Sequence, residues 1–145
     1  MTEVYVLDCS IAAKWLLLEP DRAPALRLLE QYSAGEVSLI APDLLLAEFA
    51  SLLTKRCRRE QMTGEDASEA YRLMTRCSPR LFDLRPRLSL AMEVSLRYQI
   101  SLWDSAYVAL ASEFNCPCLT ADRRLFRGGA GRHPSLRLLG ATPAV

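Results

Sequence analysis

One short apolar run that stops at an acid constrains this chain most. Val4-Tyr5-Val6-Leu7 is β-branched and aromatic, ends at Asp8-Cys9-Ser10, and gives way to Ile11-Ala12-Ala13-Lys14-Trp15-Leu16-Leu17, which reads as helix. A buried strand that delivers a carboxylate to its C-terminal end is how open α/β sheets begin a binding site, because ligands sit outside the carboxyl ends of the strands. The same residues also fit a plainer role, with Asp8 capping the helix and Ser10 as a turn residue. The acids further along tip the balance between the two.

The rest of the chain repeats the strand-then-helix pattern. Glu19-Pro20-Asp21 is a break, and Asp21 is expected to cap a helix through Tyr32 with Ala25, Leu26, Leu28 and Leu29 as its apolar face. Val37–Ala41 reads as a strand, and Pro42-Asp43 opens a helix from Leu44 to Arg59. Thr63-Gly64-Glu65-Asp66 resembles a capping box and starts a helix to Arg76. Arg80–Leu84 reads as a third strand, and Pro86–Tyr98 as a helix with Leu88, Ala91, Met92 and Ser95 on one side. Another helix starts at Leu102. Cys118-Leu119-Thr120, followed by Ala121-Asp122-Arg123-Arg124, repeats the opening geometry of strand, hydroxyl, aspartate and helix. Gly128–Gly131 lacks the Lys-Ser/Thr of a P-loop and reads as a flexible loop, Leu136–Leu139 as a last strand, and Gly140–Val145 as a tail. The alternation predicts an α/β/α sandwich around a short-stranded, mainly parallel sheet.

Composition limits the setting. A chain of 145 residues, half of them hydrophobic, is expected to form one domain over residues 1–145 and to bury a core without disulfides or structural metal. No apolar run approaches the ~18 residues of a membrane span, and the start lacks a signal peptide's basic region and small-residue cleavage site, so a cytoplasmic protein is expected. The five cysteines have no paired CxxC spacing and read as reduced, packed thiols. Cys116-Pro117-Cys118 lacks the further ligands a zinc site needs. A net charge of +1 does not announce a nucleic-acid binder, so local clusters matter more. These are Lys55-Arg56, Arg58-Arg59 and Arg123-Arg124, candidates for phosphate contacts or ordinary solvated charges.

Two further acids fall on helix faces that should look inward. Leu45, Glu48, Phe49 and Leu52 sit at i, i+3, i+4 and i+7, which puts Glu48 on a core-facing stripe. Such a carboxylate needs a cation or donors, whether a metal ion or a buried arginine. Asp104 shares a face with Tyr107, Val108 and Ala111, and as a first-turn residue it also suits the helix dipole. If the strands are parallel and adjacent, Asp8, Glu48, Asp104 and Asp122 converge at one sheet edge. Four carboxylates together repel unless a divalent cation neutralises them, and oxygen-only ligation points to Mg²⁺ or Mn²⁺. The chemistry that fits is phosphodiester hydrolysis.

The runs VYVLDCS, APDLLLAEFASLL, SLWDSAYVALA and CLTADRRL resemble, in order and spacing, the four motifs of the PIN domain. With the chain's length they are most similar to the VapC toxins of bacterial VapBC toxin–antitoxin pairs, and SIAAKWLL is similar to one VapC-like branch. The resemblance covers essentially the whole chain and implies a metal-dependent endoribonuclease. By motif, Asp8 matches the first acid, Glu48 the second, Asp104 the third and Asp122 the fourth, with Ser10 and Thr120 at the supporting hydroxyl positions. No acid is missing, which argues against a degenerate copy. The expected mechanism has Asp8, Glu48 and Asp104 holding Mg²⁺ directly or through water, with Asp122 completing the shell or a second site. Activated water then attacks phosphorus in line and leaves a 5′-phosphate and a 3′-hydroxyl. The resemblance also implies a homodimer and a small VapB-like antitoxin. Two rival readings stand beside it: a non-cleaving PIN-fold module that binds RNA or protein, and a metal-dependent nuclease acting on DNA.

Overall fold

Parallel strands that deliver acids to one edge are what the sequence pattern calls for, and the computed structural model has them. It describes residues 2–128 and 132–140. The strands are Glu3–Leu7 (β1), Val37–Pro42 (β2), Arg80–Phe82 (β3), Cys118–Thr120 (β4) and Leu136–Leu138 (β5). They form one sheet in the order β3-β2-β1-β4-β5, with every neighbouring pair parallel. The register sets Val6 beside Ile40 on one side and beside Cys118 on the other.

The helices are Cys9–Leu16 (α1), Ala23–Ser33 (α2), Leu44–Arg58 (α3), Gly64–Cys77 (α4), Leu88–Tyr98 (α5), Leu102–Phe114 (α6) and Arg123–Arg127 (α7). They flank the sheet, giving the expected α/β sandwich. α6 packs on β1, β2 and β4, and α1 packs against α2, α3, α4 and β4. Because neighbours cover it on all sides, α6 buries every residue from Ser105 to Ala111. The core fills with Val6, Leu7, Ile11, Leu45, Phe49, Met74, Val108 and Leu110, each fully buried. Trp15 belongs to it too, its indole N–H donating to the Ala25 carbonyl at 2.9 Å, whereas Leu18 points to solvent.

Local details depart from the sequence expectations for identifiable reasons. Asp21 does not cap α2: it sits at φ +59° in the turn before it, and the helix begins at Ala23 with Pro24 in its first turn. A 3₁₀ turn over Arg85–Arg87 takes up Pro86, so α5 starts only at Leu88, and β3 ends at Phe82. Met92 is exposed, because α5 turns Ala91 and Val94 inward instead. Thr63 does cap α4, accepting from the Asp66 N–H at 3.1 Å. All five cysteines are unpaired. Of the expected glycine loop, residues 129–131 lie outside the described residues, as do residues 141–145 of the tail. Among the described residues no helix is long and apolar enough to cross a membrane.

Candidate active site

Strand order creates the site. From β1 the chain crosses to β2 on one side, and the sheet continues to β4 on the other. A reversal of this kind leaves a crevice outside the carboxyl ends of β1 and β4, where open α/β sheets bind their ligands. Asp8 follows the last residue of β1, and Thr120 is the last residue of β4.

Asp8 does not cap α1. It occupies the N-cap position in extended conformation, yet its side chain accepts no hydrogen bond from that helix's backbone. Oδ2 instead accepts from the Ser10 hydroxyl at 2.7 Å and the Thr120 hydroxyl at 2.8 Å. The two hydroxyls are themselves anchored: Ser10 Oγ accepts from the Ala121 N–H at 2.9 Å, and Thr120 Oγ1 from the Asp122 N–H at 3.0 Å. Oδ1 of Asp8 has no protein donor among the described residues. Burial pushes the Asp8 carboxyl above its ordinary range; the two hydroxyls oppose this, and the charges of Asp104 and Asp122 add to it.

Glu48 approaches from α3. One oxygen accepts from the hydroxyl of Tyr107, a buried residue of α6, at 2.5 Å. No arginine or lysine pairs with Glu48 among the described residues, so the salt-bridge alternative has no partner. Burial raises its carboxyl to about 7, the Tyr107 bond works against that, and Asp8 and Asp104 raise it further. Asp104, in the first turn of α6, is likewise raised, first by burial and then by the charge of Asp122, with the Ser101 hydroxyl opposing. Mutual repulsion therefore links all four acids.

Asp122 takes the role that the sequence left open for Asp8. Its Oδ1 accepts from the N–H groups of Arg124 and Leu125, at 2.9 and 3.1 Å, and so caps α7. Its other oxygen has no protein donor among the described residues. Asp8, Glu48 and Asp122 are each held by donors of their own, and no three His, Cys, Asp or Glu side chains cluster tightly enough to grip one ion among the described residues.

The basic candidates divide. Arg56 is engaged, its guanidinium 2.6 Å from Glu19. Lys55, Arg58, Arg59, Arg123 and Arg124 are exposed and make no ion pair among the described residues. Tyr107 escaped the sequence reading as a site residue, although its place three residues after Asp104 on the same face was a usable signal. Trp103 escaped it as well. This exposed indole lines an open groove of about 420 Å³ together with Glu48 and Lys55.

Comparison with known proteins fits this arrangement. The sequence is 30% identical over 96 residues to Ribonuclease VapC9 of Mycobacterium tuberculosis, covering 66% of this chain and 74% of that protein. It is 37% identical over 89 residues to Ribonuclease VapC1 of the same species, covering 59% of this chain and 63% of that one. Two solved structures share the fold. PAE2754 from Pyrobaculum aerophilum superposes with a TM-score of 0.69 at 17% identity, over 95% of this chain and 92% of that one. A chain of VapBC2 from Rickettsia felis, bound to a DNA fragment from their promoter, gives 0.65 at 18% identity, over 93% and 96%. The sequence model of the PIN domain matches residues 5–130, which takes in all four acids, and this chain belongs to the PIN domain family.

Proposed function

We propose that this chain is the endoribonuclease toxin of a VapBC-type toxin–antitoxin pair, cutting RNA phosphodiester bonds by metal-assisted hydrolysis. The observation that carries the reading is the crevice itself. Asp8, Glu48 and Asp122 each give one oxygen to the protein and keep the other without a protein donor among the described residues. With Asp104 they repel one another across the end of a parallel sheet. An oxygen-only, mutually repelling donor set suits a hard divalent ion, Mg²⁺ or Mn²⁺, held partly through water.

Such an ion, when bound, would polarise the phosphate and activate water. The residues do the rest. Ser10 and Thr120 fix Asp8 in one orientation by filling Oδ2, which leaves Oδ1 for the crevice. Tyr107 does the same for Glu48. Asp104 adds charge at the first turn of α6, and Asp122 caps α7 while its charge acts on Asp104. Water hydrolysis needs no RNA 2′-hydroxyl as nucleophile, so the products expected are a 5′-phosphate and a 3′-hydroxyl. The same reading carries a VapB-like antitoxin as partner, a homodimer as assembly and the cytoplasm as location.

The test compares wild type with Asp8→Asn for growth arrest on expression and for Mg²⁺-dependent cleavage of total RNA with end mapping. A toxic wild type that leaves 5′-phosphates, beside a folded but inert variant, supports the proposal. Equal behaviour of the two proteins rejects it, and equal cutting of single-stranded DNA rejects the ribonuclease assignment.

A further inference from the structure

The groove beside the acids has a composition that the hydrolysis chemistry alone does not require. One wall is a single stripe of α3: Leu44, Glu48, Ser51, Leu52 and Lys55 recur at helical spacing and all line it. Trp103, 53% exposed, stands on the opposite wall. Its indole N–H has no hydrogen-bond partner among the described residues, unlike that of Trp15. Glu48 belongs to both groove and acid crevice, so the groove is a continuation of the site and not a separate pocket. From Glu48 to Lys55 the stripe runs roughly 10 Å, at about 1.5 Å per residue.

We propose that Trp103 is a stacking platform for a nucleobase next to the scissile bond, with Lys55 receiving a phosphate further along the same strand. This rests on the ribonuclease reading above and adds to it the residue that sets where the strand lies. A single strand of RNA suits the groove on charge. At one end its phosphates would meet the ion that the carboxylates would hold, and at the other they meet Lys55, which no acid neutralises among the described residues. An apolar peptide would cover the indole but leave the lysine ammonium without a partner. An unpaired base offers the indole a flat face, whichever base it is.

The experiment uses the full chain, with oligoadenylate and oligouridylate as probes. Trp15 is buried and Trp103 exposed, so quenching of the intrinsic fluorescence by RNA reports on Trp103. Wild type is expected to be quenched, more by the purine oligomer. Trp103→Ala is expected to raise KM for cleavage about 5- to 100-fold with kcat nearly unchanged, the signature of lost uniform binding. Trp103→Phe is expected to restore most of the affinity while removing the quenching by RNA, since only the buried Trp15 then emits. Lys55→Ala should lower the salt dependence of binding. An unchanged KM in Trp103→Ala overturns the proposal. So does a variant that keeps its RNA affinity but loses an apolar protein partner. If wild type binds RNA through Trp103 yet cuts none, the platform stands and the ribonuclease reading falls. If it cuts RNA and Trp103→Ala cuts it equally well at low substrate, the reverse holds.

Discussion

The hydroxyl of Thr120 donates to Oδ2 of Asp8 at 2.8 Å across 112 residues of sequence. The bond joins the carboxyl ends of β1 and β4, the parallel neighbours between which the order of strand connection reverses. It makes the orientation of the first acid depend on the pairing of two strands from opposite ends of the chain. Both groups are buried, where a donor lost from a carboxylate is felt strongly.

Replacing that donor should therefore cost stability and activity together. Thr120→Val keeps the shape of the side chain but removes the bond to Asp8 and the acceptor for the Asp122 N–H. A loss of about 1–3 kcal/mol in urea unfolding is expected, with a fall in cleavage rate. Thr120→Ser should recover much of both. Wild-type stability in the valine variant would show that the bond contributes nothing.

Asp8→Asn should make the metal-free protein more stable while abolishing cleavage. Burial raises the Asp8 carboxyl above its ordinary 3.8, so folding favours the protonated form. The stability this group contributes is fully present below that ordinary value and is lost as pH rises through the folded value. Asparagine carries no charge at any pH and keeps an acceptor for the two hydroxyls. The melting temperature of the variant in EDTA should exceed that of wild type by a few degrees near pH 8, and the gap should close as pH falls. Added Mg²⁺ should stabilise wild type selectively. A variant that melts lower in EDTA at pH 8 would contradict the assigned direction.

The contrast between Asp8 and Asp122 shows where the sequence is informative. Both are aspartates that follow a short apolar strand and precede a helix, and local pattern cannot tell them apart. Their roles differ because Ser10 and Thr120 capture one, while backbone N–H groups of α7 capture the other. Of these contacts, the Thr120 bond joins residues far apart in the chain. Glu48 was legible as an inward acid from its spacing with Leu45 and Phe49, but its partner Tyr107 lies 59 residues away. The apolar runs of β1, β2 and β4 were legible because buried parallel strands need them. The start of α2 was not, since a positive φ at Asp21 displaces the helix from the residue that looked like its cap.

Tyr107→Phe should weaken metal binding in a pH-dependent way. The Tyr107 hydroxyl holds down a Glu48 carboxyl that burial and neighbouring acids lift to about 7. Without that bond the carboxyl rises further, and more of it is protonated at neutral pH, where a proton competes with the cation. Affinity for Mn²⁺ at pH 7 is expected to fall about tenfold by titration calorimetry. The deficit should shrink as pH is raised, because both proteins then ionise Glu48. A deficit that is constant from pH 6 to 9 would mean that Tyr107 acts through packing alone.

Arg56 and Arg59 offer a final test, since both lie in one basic cluster but in different company. Arg56 and Glu19 are each largely shielded and pair at 2.6 Å, which ties the C-terminal half of α3 to the loop after α1. Arg59 is exposed, follows the last residue of α3, and continues the stripe that carries Lys55. Arg56→Ala should lower stability by up to about 1 kcal/mol and leave the salt dependence of RNA binding unchanged. Arg59→Ala should do the opposite, keeping the melting temperature and reducing the slope of log affinity against log salt by up to about 0.7, the value for one phosphate contact on a single strand. Equal slopes in the two variants would mean that the cluster acts as a diffuse charge. Unequal slopes in the expected order would mean that the Glu19 pair removes Arg56 from the RNA-facing surface.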